Sequence, residues 1–184
     1  MGARLQGLPR TCMRVSSVAL LRRKGQGDST SEPTPKRQAP NREAHAELVE
    51  RATRWARGRC TYAVPEIVTL GGETPDVYGY GYQCSSLIVE CKASRSDFLR
   101  DAKKMFRRKP AFGIGHRRFY MCPPGIISPD ELPELWGLLY CHPRKIEVVR
   151  EALPQPYSVQ KELWLTASIL RRVLKQHGIK EIRI

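Results

Sequence analysis

No two of the six cysteines form a C-x-x-C pair; they stand singly at positions 12, 60, 84, 91, 122 and 141. Scattered thiols of this kind fit a reduced, cytoplasmic protein better than a disulfide framework or a zinc site. His116, Cys122, Cys141 and His142 also lack metal-ligand spacing and read as packing residues. Long apolar runs are missing: none approaches the roughly 18 residues that would span a bilayer, so no membrane partner is expected. There is no internal repeat. Acids are absent before Asp28, and the first forty residues hold eight Lys/Arg against two acids. Three prolines lie between Ser29 and Pro40. Residues 1–40 therefore read as a basic, disordered arm and linker, ahead of one domain over residues 41–184. The arm's composition also matches a mitochondrial presequence, but Leu5, Leu8 and Pro9 make no clean amphipathic helix, and Met13 is an alternative start.

What the chain has in excess is positive charge. Its 184 residues carry 32 Lys/Arg against 18 Asp/Glu, a net charge of +14, which points to a polyanionic partner. The excess is uneven. Residues 41–184 hold 24 Lys/Arg and 16 acids, a net of +8, and the segment from Lys92 to Arg118 alone holds ten Lys/Arg and two acids, again +8. Lys103, Lys104, Arg107, Arg108 and Lys109 crowd one helix end, and Arg117 and Arg118 open the next strand. Such clustering can grip phosphates without reading bases. Two or three such cations at a helix end would be explained by the dipole alone. Phe112 and Phe119 read as core rather than base-stacking residues, and Gly113-Ile114-Gly115 as loop.

Hydrophobic periodicity gives the elements. Asn41 is a good N-cap for a helix on Ala44, Leu48, Ala52 and Trp55, which Gly58 ends. Tyr62 to Leu70 reads as a strand, followed by Val77-Tyr78-Gly79-Tyr80 and Leu87-Ile88-Val89. Ser94-Arg95-Ser96-Asp97 has capping-box form and opens a helix over 95–108. Arg118 to Cys122 is a strand, Ser128 caps a short helix, Gly137–Cys141 and Lys145–Arg150 are strands, and Val159–His177 is a helix. A last strand is read over Ile179–Ile184. The order αβββαβ(α)ββαβ describes an α/β protein with a mixed sheet flanked by helices.

The chemistry-bearing residues sit in the first hairpin. Alternation along the strand puts Glu90 and Lys92 on one side and Cys91 on the other, and a turn between Gly79 and Ser85 would return the chain past Asp76. Two carboxylates and a lysine at one point suit a divalent cation, magnesium first, with room for water and a phosphate. The bland reading of the same residues is a surface Glu–Lys pair, with Asp76 in a turn.

Pro75-Asp76 … Glu90-Cys91-Lys92, set in this element order, resembles the signature of the PD-(D/E)XK nuclease superfamily. The stretch from Ile88 to Leu99 is similar to one in MmcB-like DNA-repair proteins and in phage and prophage members of that superfamily, and the likeness runs roughly from Asn41 to Arg150. The resemblance implies a restriction-endonuclease-like αβββαβ core, with extra strands and a helix at the C-terminus. It also implies a Mg2+ ion, or Mn2+, held by Asp76, Glu90 and the Cys91 backbone carbonyl, with Lys92 polarising the attacking water. A first-helix glutamate often completes such sites; Glu47 is the first choice and Glu50 the second. Arg95 joins Lys103, Lys104, Arg107, Arg108, Lys109, Arg117 and Arg118 as residues expected to contact DNA. The expected activity is hydrolysis of DNA phosphodiesters in repair or in phage or mobile-element processing. A homodimer or a partner protein would confer specificity. The alternatives are a catalytically silent nucleic-acid-binding module of the same fold, and an interaction protein that binds through its basic tail.

Overall fold

The computed structural model describes residues 39–68, 72–83 and 85–178. Helix α1 (Ala39–Arg57) is followed by β1 (Tyr62–Pro65), β2 (Val77–Tyr82) and β3 (Ser85–Cys91). Two short helices come next, α2 (Arg95–Asp101) and α3 (Met105–Arg108), then β4 (Arg117–Cys122), β5 (Gly137–Cys141), β6 (Ile146–Arg150) and α4 (Val159–Gln176). The six strands form one mixed sheet in sequential order. β1, β2 and β3 are antiparallel, β3, β4 and β5 are parallel, and β6 returns antiparallel to β5. The α/β class and the flanked mixed sheet are as the sequence predicts.

Both faces of the sheet are covered, so its central strands read as nearly unbroken apolar runs. On one face α1 contributes Leu48, Val49, Ala52, Trp55 and Ala56, packed on Val77, Leu87, Val89, Phe119 and Met121. On the other, Tyr78, Ile88, Tyr120, Cys122 and Leu138 meet Phe98, Ile114, Ile127, Trp136 and Leu165. Residue parity thus assigns Glu90 and Lys92, which follow Ile88 in steps of two, to the face opposite α1. It also separates Cys141 from Cys122, and the four described cysteines, Cys60, Cys91, Cys122 and Cys141, are free thiols.

Several boundaries differ from the sequence reading. α1 starts at Ala39, two residues before the expected Asn41 cap, and Pro40 sits in its first turn, where a missing N–H costs nothing. The domain therefore begins slightly earlier than residue 41, and the arm before Ala39 lies outside the described residues. β1 stops at Pro65 instead of reaching Leu70, because Glu66 takes a left-handed φ of 46° and turns the chain out of the sheet. The helix expected over 95–108 is two helices. Ser94 caps the first as predicted, its hydroxyl accepting the Asp97 N–H at 3.3 Å. The chain then breaks so that Arg107 can fold back onto Asp101. Residues six apart lie on different faces of a continuous helix and could not meet. The helix expected after Ser128 is a single 3-10 turn, Pro129–Glu131. The strand read over 179–184 falls outside the described residues.

α4 is held by its own cap and by the far edge of the sheet. Ser158 accepts the Lys161 N–H at 3.4 Å, and Arg172 donates to the Pro65 and Glu66 carbonyls at 3.2 and 2.9 Å. Among the described residues no helix is long and apolar enough to cross a membrane.

Candidate active site

β3, β4 and β5 end together, since Cys91 pairs with Met121 and Cys122 with Tyr140. The open edge beyond the carboxyl ends of parallel strands is where α/β sheets place their ligands. Glu90 and Lys92 stand at that edge. In the β2–β3 ladder Val77 faces Val89, so one residue further Asp76 falls opposite Glu90. The hairpin therefore assembles the three residues that the sequence singles out. Asp76 is oriented by the backbone: its Oδ2 accepts the Cys91 N–H at 2.7 Å. That bond also brings the Cys91 main chain beside the carboxylate. Lys92 Nζ lies 3.2 Å from Glu90 Oε2 and 3.3 Å from Asp101 Oδ1.

The surroundings are more heavily charged than the motif suggests. Arg107, 8% exposed, joins three acids. It donates to Asp101 through Nε at 2.6 Å and Nη2 at 3.3 Å, and to Glu73 through Nη1 at 2.9 Å. Its Nη2 also lies 3.1 Å from Glu90 Oε1. Trp136 backs the guanidinium at 4.6 Å, Tyr120 donates its hydroxyl to Asp101 at 2.7 Å, and Glu73 accepts the Ile114 N–H at 2.8 Å. Glu73, Glu90, Asp101, Lys92 and Arg107 are all buried. Buried charges persist only when paired in this manner.

This network sets the protonation states. Burial raises the Glu90 carboxyl above its ordinary range, and Arg107 and Lys92 oppose the rise. For Lys92 burial acts downward, but Glu90, Asp101 and Asp76 outweigh it and hold the ammonium above its usual value. Asp101 is driven far below the usual carboxylate range: burial works against ionisation, but the Arg107 hydrogen bonds and charge, with Lys92 and Lys104, prevail. His45 is raised by its hydrogen bond to Asp76, its Nε2 lying 3.5 Å from Asp76 Oδ1.

From α1, His45 reaches the site. Glu47, the expected glutamate, is exposed, and two helical positions turn it about 200° from His45. Glu50 is also exposed and pairs with Arg54 at 2.6 Å. Two of the expected DNA-contacting residues are internal. Arg107 belongs to the buried network, and Arg118, fully buried, donates to the carbonyls of Gly115, Phe106, Pro110 and Pro156. Burial pulls the Arg118 pKa down to about 10. Arg95 is spent on Glu131, and that contact holds the Glu131 carboxyl down at about 2. Arg117 is half-buried, donating to the Ala152 carbonyl at 2.5 Å and lying over Tyr82. The basic face that remains consists of Lys103, Lys104, Arg108 and Lys109, all exposed, with Lys104 also 2.7 Å from Asp101. Phe119 is core as predicted, while Phe112 is 53% exposed.

Asp101, Glu73, Arg107 and His45 escape a reading by spacing. Asp101 looks like an ordinary acid near a helix end, and Arg107 looks like one of five adjacent cations. No signal in the sequence marks Asp101 and Arg107 as partners, since six residues apart on a continuous helix they would not meet.

The donors at the edge fit a magnesium-sized ion. Asp76 and Glu90 offer hard carboxylate oxygens, those of Glu90 lying 3.1 Å from Arg107 Nη2 and 3.2 Å from Lys92 Nζ. Among the described residues no three His, Cys, Asp or Glu side chains converge as a ready-made chelate. An ion here would rest on two carboxylates, its own waters and a substrate phosphate, which is the usual habit of magnesium.

No family model matches the chain. No curated protein matches it. Among solved structures the chain is similar to a protein of unknown function from Silicibacter pomeroyi, with 26% sequence identity and a TM-score of 0.54. The match covers 74% of this chain and 93% of the other. The α/β architecture is therefore shared with a solved structure over nearly that protein's whole length.

Proposed function

We propose that this protein is a metal-dependent nuclease of the PD-(D/E)XK type that hydrolyses DNA phosphodiester bonds, acting in the cytoplasm in repair or in phage or mobile-element processing. The observation that carries the reading is the placement of Asp76, Glu90 and Lys92 together at the carboxyl edge of the parallel strands. A pure DNA binder has no use for two carboxylates beside phosphates, which repel them.

Asp76 and Glu90 would hold Mg2+ or Mn2+, with the Cys91 carbonyl as a further ligand. When bound, the ion supplies a more acidic water and neutralises charge on the phosphate. Lys92 acts as a fixed ammonium. Its raised pKa keeps it protonated at neutral pH, so it orients water and stabilises negative charge instead of abstracting a proton. Asp101 positions Lys92 from behind, and Arg107 positions Glu90 in the same way. Lys103, Lys104, Arg108 and Lys109 supply nonspecific phosphate contacts. A homodimer or a partner protein would add selectivity.

One observation favours the second reading, a catalytically silent binding module: Glu90 already lies between two cations, Lys92 and Arg107. Labelled single-stranded, duplex and branched DNA incubated with magnesium, manganese or EDTA separates the two. Products that appear only with metal support the nuclease. Intact DNA that is nonetheless bound in a salt-sensitive manner supports the module.

A further inference from the structure

A second group of cations, on the opposite side of the sheet from the buried network, has no part in the site described above. Arg51, Arg54 and Arg59 project from α1 and the turn after it, and Arg144 and Lys145 from the turn between β5 and β6. Together they line a groove of about 330 Å³ that Trp55 also borders and that no acidic side chain lines.

The groove is built, not merely charged. Arg51 donates to the carbonyls of His142 and Lys145, tying the turn to the helix. Arg59 donates to the Trp55 carbonyl at 3.3 Å and lies over the indole at 4.6 Å, so its guanidinium is ordered before any ligand arrives. Ion pairing consumes little of the charge. Arg54 is paired with Glu50 on the surface, and Lys145 is only within 3.9 Å of Glu147. Arg59 and Arg144 have no acidic partner among the described residues. Trp55 borders the groove from the core side, its ring packed against Tyr82 and Phe119, and so fixes the platform on which Arg59 lies.

Solvated surface arginines usually point apart and pair with nearby acids. These five instead converge on one groove, two of them immobilised by carbonyls or a ring, which lowers the entropy cost of holding a ligand. The turn carrying Arg144 and Lys145 follows the carboxyl end of β5, so it lies at the same sheet edge as Glu90 and Lys92. A linear polyanion lying along that edge could meet both. We propose that the groove between α1 and the β5–β6 turn is a binding site for the phosphodiester backbone of DNA, with Arg59, Arg144 and Lys145 contacting phosphates. The choice of DNA rests on the proposed function; the anion site does not.

Fluorescence anisotropy of a labelled oligonucleotide duplex, in EDTA and with the full chain, tests this without any cleavage. Arg144→Ala/Lys145→Ala should weaken binding at least fivefold and reduce the slope of log K against log salt by about 1.8, two phosphate contacts' worth. Arg59→Gln, assayed separately, should weaken binding and lower the slope by about 0.9. Wild-type affinity and slope in both variants would overturn the inference. So would capture by phosphatidylserine vesicles with no DNA bound, which would assign the groove to a lipid surface. The two readings fail separately. If metal yields no cleavage but these variants lose DNA, the nuclease falls and the groove stands. If cleavage is intact and the variants bind as wild type, the reverse holds.

Discussion

Arg107→Ala should cost about 3–5 kcal/mol of folding stability, the usual consequence of removing one partner from a buried ionic cluster. The side chain serves Asp101, Glu73 and Glu90 at once, at 2.6, 2.9 and 3.1 Å. Its loss removes from three buried carboxylates a cation they share, leaving Lys92 and Lys104 to face Glu90 and Asp101. It also strips the face of Trp136. Urea unfolding monitored by circular dichroism measures the cost. Arg108→Ala, one residue on and exposed, should move stability by no more than about 0.5 kcal/mol. Equal, small effects from both substitutions would mean that Arg107 is a surface cation like its neighbour.

Lys92→Ala should lower the rate of metal-dependent cleavage by about 10²–10³-fold, the scale of losing one preorganised group that stabilises developing charge. DNA affinity should change by less than about threefold, because Lys92 is 4% exposed and cannot add much to backbone binding. The substitution also frees Glu90 Oε2 and Asp101 Oδ1 from their ammonium partner, so stability will fall as well. The assay therefore belongs at a temperature where thermal melting shows the variant fully folded. Single-turnover rates and anisotropy on the same preparation separate chemistry from binding. Parallel loss of both would assign Lys92 to DNA binding and deny it a chemical role.

The parts of this molecule that follow local rules were legible in its sequence. Strand alternation put Glu90 and Lys92 on one side, Ser94 announced its own cap, and the hairpin between β2 and β3 brought Asp76 across from Glu90. What was not legible came from tertiary contacts. Helix propensity runs unbroken from Arg95 to Arg108, but the chain is broken between Asp101 and Met105, and the break lets Arg107 meet Asp101. Charge alone made Arg107 and Arg118 look like DNA contacts. Nothing in a basic run tells which members turn inward to pair with acids or carbonyls supplied from other elements. On α1, both His45 and Glu47 were available to the site, and the rotation of the helix against the sheet, set by Leu48, Ala52 and Trp55, selected His45.

The groove bordered by Trp55 was illegible for a similar reason. Arg59 and Arg144 are eighty-five positions apart in the chain, and the sheet order brings α1 and the β5–β6 turn together. A charge map drawn along the sequence favours local runs and misses cations that meet across the fold.

One substitution decides whether the hairpin edge is a metal-dependent phosphodiesterase centre. Asp76→Ala removes a partly exposed carboxylate whose described partners are His45 and the Cys91 N–H, leaving the buried network intact. Wild type and variant would be incubated with labelled DNA in magnesium and in EDTA, with binding measured in EDTA alongside. A metal centre at the hairpin gives magnesium-dependent products from the wild type, none from the variant, and equal binding by both. Products that persist undiminished in Asp76→Ala would contradict it and place the chemistry elsewhere.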